Sequence, residues 1–426
     1  MWLIIAILIF NYLFSSLLTG MNVSYLRARI LQPLPQALSG WFDEAKVRQM
    51  VDYTAAKAGL GYWSNLAAMM ATAAVLITGL LPWIARAAAA LPLHQSLQGL
   101  VVLYVPLLAL FLAGLPASAA EDFGIEKKYG FSTITIRTWI TDHVKSLLIG
   151  AVLLGLLFAG FAFFVQWLGS LWWLPAWGLV TAFSVLMIFI APVWLAPLFN
   201  KFEPLKDEVL RDKILELAKK AKFPLAGVFQ MDASKRSTHD NAYFTGLGRT
   251  RRIVFYDTMA SHYTHDEILS VMGHEIGHWK LRHIAKRLVL STLISGGGLY
   301  LSSLALDGDW IYRTLGLLDL YHRHGLQGPL LGAALFVVSI LFSPANLILA
   351  PLAAWLSRRH EYQSDAYSVK LYPDPGVMRS ALLKLNQKNL SNLFPHPLFV
   401  AFHYSHPPLL ARLEAIDKIA DKGLAK

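Results

Sequence analysis

Seven apolar stretches decide most of what this chain can fold into. They lie near residues 2–19, 65–90, 96–118, 145–168, 171–197, 285–306 and 328–356. As a helix, each is long enough to cross a hydrocarbon core of about 30 Å. Mean hydropathy is +0.46. Only 15% of the residues are charged, against about 25% in an ordinary soluble domain. The expected fold class is an all-α multi-pass membrane protein. The first stretch has neither a basic leader nor a clear small-residue cleavage site, so it reads as a retained anchor.

The formal net charge of +11 is distributed very unevenly. If the seven spans hold, 35 of the 38 Lys and Arg residues fall on one side of the membrane. Arg86, Arg313 and Arg323 fall on the other. Basic residues accumulate in cytoplasmic loops, which places the N-terminus outside and the C-terminus in the cytosol. Orientation and anionic headgroups account for this charge, and no nucleic-acid partner is expected. The chain has no cysteine, hence no disulfide, thiolate ligand or cysteine nucleophile.

The segments 198–284 and 357–426 are the long polar stretches, both on the cytosolic side. The expected division is spans one to five in 1–197, a catalytic region in 198–284, spans six and seven in 285–356, and a C-terminal region in 357–426. Residues 206–222 have a helical pattern, and 226–231 read as a strand. In NAYFTGLGRTRRIVFYDT, two apolar runs flank a Gly-containing turn, which predicts a hairpin. Thr264 and Glu267 then form a capping-box signature that starts a helix.

That helix carries GHEIGHWK, residues 273–280. His274 and His278, four apart, fall on one helix face, with Glu275 between them. Chance produces this spacing in about one of a hundred chains of such composition. A catalytic zinc needs a third protein ligand and an open position for water. Glu361 in HEYQSD is the strongest candidate for the third ligand, as in thermolysin-like peptidases. Asp365 is one turn further along, where it can accept the free N–H of a ligand histidine. One Zn2+ per chain is expected. A rival ligand, Asp307 of Leu306–Asp307–Gly308, falls across the membrane from His274. Its rival site would also bury a helix flanked by His262, His265, Lys280, Arg282 and His283 in the bilayer.

The chain as a whole resembles the type I CAAX prenyl endopeptidases, seven-span zinc proteases. The resemblance runs through EKKYGFS (126–132), APLFNKFEPL (196–205), SKRSTHDNAYF (234–244), RRIVFYDT (251–258), GHEIGHWK, RRHEYQSD (358–365) and SHPPLLARL (405–413). Asp240 departs from the family's usual Ser. The resemblance implies seven helices around a water-filled chamber, with a small α+β metalloprotease region at its cytosolic end. It implies that Glu275 is the general base and acid, that His406 stabilises the oxyanion, and that Asn241 binds substrate backbone. Arg358 and Arg359 read as headgroup anchors for span seven.

The expected activity is cleavage of peptide bonds near the C-terminus of lipidated, CAAX-type or apolar peptides, by a protease of the bacterial inner membrane. Two alternatives stand beside it. One is a membrane quality-control protease without a prenyl requirement. The other is a transporter or scaffold with a structural zinc.

Overall fold

A computed structural model describes residues 1–246, 251–259 and 262–424. The expected hairpin turn falls largely at 247–250, outside the described residues. Among the described residues, seven helical segments are long and apolar enough to cross a membrane. In lipid every backbone polar group must be satisfied within its own segment, which is why these stretches are helical.

The first span is α1 (Trp2–Arg29) and the second is α2 (Glu44–Ile77). The second departs from the expected 65–90. Helix α2 starts early because Asp43 caps it, accepting from the Lys46 N–H at 2.7 Å. It ends at Ile77, where Gly79 turns the backbone to φ 74°, a conformation that favours glycine. The remainder is a separate helix, α3 (Leu80–Ala89), at about 15 Å too short to span.

Spans three, four and five are α4 (Gln95–Ala119), α5 (Ile136–Leu168) and α6 (Trp173–Ile190). In the first six spans, no more than 17% of each apolar window is buried against the rest of the protein. A solid bundle would bury one face of every helix. These six spans leave most of their apolar surface uncovered by the rest of the protein. A core including Leu81, Phe158, Trp172, Tyr312 and Leu331 closes one end.

The other end carries a small α+β unit. Its strands are β1 (Phe202–Pro204), β2 (Gly227–Met231), β3 (Ala242–Thr245) and β4 (Arg252–Tyr256), in spatial order β1-β2-β4-β3. Only β2 and β4 pair in parallel, and β3 is an edge strand. Helix α7 (Glu208–Lys220) is capped by Asp207. Helix α8 (His265–Lys280) begins with the expected capping box. Thr264 Oγ1 accepts from the Glu267 N–H at 3.2 Å, and Glu267 Oε2 accepts from the Thr264 N–H at 2.8 Å. Ile214, Ile253, Met272 and Ile276 form the core beneath them.

Helix α9 (His283–Leu306) is the sixth span, and α10 (Pro329–Leu341) with α11 (Asn346–Leu371) makes the seventh. Span seven has 43 residues, about 65 Å at 1.5 Å per residue. That is about twice the hydrocarbon thickness, more than one crossing requires. Helices α12 (Pro375–Lys388), α13 (Pro397–His403) and α14 (Leu409–Leu424) complete the chain.

The decisive packing is α8 against α11. Gly273 and Gly277, one turn apart, face Ser368 and Ser364. A Cβ on Gly277 would stand 3.1 Å from Ser364 Cα and 3.2 Å from its carbonyl oxygen. One on Gly273 would stand 2.8 Å from Ser368 Oγ. Small residues at four-residue spacing on both helices let the backbones meet. Ser368 Oγ then donates to the Ser270 carbonyl at 2.6 Å.

Gly277→Ala should therefore force the two backbones apart, at a cost of about 1–3 kcal/mol. A lowered melting temperature with weakened metal binding is expected. Gly297→Ala, at a site with no atom within 4 Å, serves as the control and should leave both unchanged.

Candidate metal centre and active site

Helix α8 presents His274 and His278 to α11, which presents Glu361. His274 Nε2 lies 3.3 Å from Glu361 Oε2, and His278 Nε2 lies 3.2 Å from Oε1. The ligand atoms of the three residues lie within 4.8 Å of one another. Two imidazole nitrogens and a carboxylate are a donor set that suits a transition metal. Glu361 Oε2 is buried and has no hydrogen-bond partner, an orphan that a cation would satisfy. The residues fit the metal.

Asp365, fully buried, orients the first ligand: its Oδ1 accepts from His274 Nδ1–H at 2.7 Å. Burial opposes a charged His274 ring, but Asp365 and Glu361 outweigh it and raise the pKa to about 9. The pocket thus favours positive charge at this ring, a demand that a divalent cation also meets.

Glu275 is half-buried, and burial raises its carboxyl pKa against the opposing pull of His274 and His278. It lines a cavity of about 120 Å3 with Asn241, Tyr263, His274, His406 and Arg412. His406 Nε2 reaches to 3.5 Å from Glu361 Oε2. Its side chain is 62% accessible, yet the walls of the cleft still desolvate it enough to lower its pKa. Ser405 Oγ lies 2.9 Å from its Nδ1. Asn241 sits exposed at the start of edge strand β3, and its carbonyl accepts from the Tyr256 N–H at 3.0 Å. The structure therefore brings His274, Glu275, His278, Glu361, Asp365, His406 and Asn241 to one place.

Asp307 is not among them. It follows the last residue of α9, whose 24 residues span about 36 Å from His283.

The comparisons with known proteins decide the family. Residues 25–201 match the family described as CAAX prenyl protease N-terminal, five membrane helices. Residues 204–420 match Peptidase family M48. The chain belongs to the M48 peptidases of the CAAX prenyl protease type. It is a multi-pass membrane metalloendopeptidase. A CAAX prenyl protease 1 homolog of Arabidopsis thaliana is 34% identical over 97% of this chain and 96% of its own. CAAX prenyl protease 1 of Saccharomyces cerevisiae is 34% identical over 94% and 93%. A crystal structure of S. mikatae Ste24p superposes with a TM-score of 0.87 at 31% identity, covering 97% of this chain and 98% of that one.

Three features of this M48 peptidase escaped the sequence reading. Arg412 is buried and grips Asp365 with two bonds, Nε to Oδ2 at 2.9 Å and Nη2 to Oδ1 at 2.6 Å. It lies in SHPPLLARL, but an arginine three residues beyond a helix start carries no signal of its partner. Arg358 does not serve as a headgroup anchor. Its Nη1 donates to the Val400 and Tyr404 carbonyls at 2.8 and 2.9 Å, closing the C-terminus of α13 just before His406. Asp240, the departure from the family pattern, is buried. Its backbone N–H and carbonyl both bond the Asn389 side chain, at 3.2 and 3.3 Å.

Arg412→Met should leave Asp365 a buried carboxylate held by His274 Nδ1–H alone, at a cost of about 3–5 kcal/mol. With Asp365 less firmly fixed, metal affinity should fall about 10–100-fold. Thermal melting and chelator competition measure the two losses separately.

Proposed function

We propose that this chain is a zinc endopeptidase that cuts peptides near a lipidated, CAAX-type C-terminus. His274, His278 and Glu361 would hold one Zn2+. When bound, that ion supplies Lewis acidity to the scissile carbonyl and draws the pKa of water towards about 7. The observation that carries this reading is Glu275 in the same cavity as His274 and His406.

Glu275 takes a proton from the attacking water and returns it to the leaving nitrogen. Its raised pKa suits both halves of that transfer. With Ser405 Oγ–H as the donor to His406 Nδ1, the neutral ring would carry its proton on Nε2. That N–H donates to the oxyanion that develops on the substrate, a contact worth about 2.7–4 kcal/mol for one such donor. Asn241 and the free edge of β3 bind extended substrate backbone by strand addition.

The curated relatives named above are called CAAX prenyl proteases, and that name supports a lipidated protein substrate here. A chamber between the spans would hold water, since ionisable groups at membrane depth line cavities instead of facing lipid. The charge asymmetry supports residues 198–284 and 357–426 on the cytosolic side, with the N-terminus outside and no nucleic-acid partner. Membrane spans would occupy 1–197 and 285–356. A bacterial inner membrane is the proposed location.

Glu275→Gln should lower kcat by about 10²–10⁴-fold while one zinc per chain remains by elemental analysis. A farnesylated CAAX peptide and its unlipidated twin, followed by mass spectrometry, test the substrate class. Chelator-sensitive cleavage of the lipidated peptide alone is expected. Cleavage of both would favour a quality-control protease, and cleavage of neither a transporter or scaffold with structural zinc.

A further inference from the structure

The two ligand histidines are held in different ways. Asp365 and Arg412 fix His274 through charge. On His278, Nδ1 lies 3.0 Å from Nδ1 of another histidine, His283. His283 is 1% exposed, and its Nε2 lies 3.0 Å from Gln363 Oε1. The chain is bent to bring these groups together. Helix α8 ends at Lys280, and Arg282 adopts φ 56° and ψ 36°, left-handed geometry that a non-glycine residue holds at a cost. That bend starts α9 at His283 and turns its ring back onto His278.

We propose that His283 and Gln363 are positioning residues that set the metal-binding tautomer of His278. The proposal rests on the reading of His278 as a zinc ligand. Hydrogen-bond roles then follow in one direction. If Nε2 of His278 is to offer its lone pair, its proton must sit on Nδ1. That N–H donates to His283 Nδ1, which must be unprotonated to accept it. His283 therefore carries its own proton on Nε2 and donates it to Gln363 Oε1. Reversing any member of the relay would place a proton where the metal binds.

Gln363 lies two residues from Glu361 on α11, so one helix supplies the third ligand, Asp365 behind His274, and the end of the relay behind His278. The relay is neutral throughout, whereas Asp365 and Arg412 are both charged. Most ligand histidines lean on a carboxylate, a carbonyl or water; here the acceptor is a second imidazole.

A plain packing role is the competing explanation, because His283 stacks on His360 with centroids 3.9 Å apart and planes at 10°. Substitution separates the two. His283→Phe keeps a ring in the stack and removes the acceptor. His283→Asn removes the ring and offers Oδ1 where Nδ1 stood. Gln363→Met preserves length and touches no ligand directly.

The experiment is zinc affinity of the full-length, detergent-purified chain, by competition with a chromogenic chelator, with thermal melting alongside. Wild type should bind one zinc per chain. His283→Phe should weaken binding about 10–100-fold, His283→Asn should recover most of the loss, and Gln363→Met should fall between wild type and Phe. Affinity unchanged in Phe but lost in Asn would overturn the relay in favour of packing. Should the Phe variant not fold, Gln363→Met decides: affinity equal to wild type rejects the proposal. Failure of wild type to bind zinc would instead sink the ligand reading itself.

Discussion

The candidate metal site depends on two helix backbones approaching closer than side chains normally allow. Gly273 and Gly277 of α8 meet Ser368 and Ser364 of α11, and that approach sets the register of everything beside it. Residues one turn apart on α8 supply His274 and His278. Residues one turn apart on α11 supply Glu361 and Asp365. Because both pairs repeat with the helix, a single contact line aligns them together. The same line places Gln363 near His283. A helix pair separated by larger side chains would keep every residue and lose the site.

A polar, water-dependent centre is costly in a membrane, and the architecture meets that cost by geometry. Span seven is about twice as long as the hydrocarbon is thick, which leaves length for the turns that carry Glu361 and Asp365 to reach beyond the apolar zone. The spans share an apolar core that includes Trp172 and Tyr312. At the near end, the α+β unit and helices α12 to α14 surround the ligands. Arg358 ties the loop bearing His406 to α11, and Arg412 ties α14 to Asp365. The C-terminal region is therefore part of the site.

Much of this was legible in the sequence because it is local. Hydropathy over about twenty residues is enough to mark a span, and all seven were marked. The capping box and the four-residue spacings in GHEIGH and EYQSD are properties of single helices. The second span was misplaced because hydropathy does not register Gly79, which breaks an apolar run into α2 and α3 through a backbone angle. Arg358 was misread because an arginine beside a membrane helix has the same local signature whether it meets headgroups or carbonyls.

By itself, then, the sequence determined the seven-span membrane class, the succession of helix, strand, hairpin and helix between 206 and 280, and the helix faces that carry His274, His278, Glu361 and Asp365. Each is written in periodicity or apolar length within one segment. Only the tertiary structure decided which buried groups stand behind those side chains. Arg412 lies 47 residues from Asp365, and Gln363 lies 80 from His283. Pairings at such separations leave no periodic trace, because they arise where helices cross and the backbone bends.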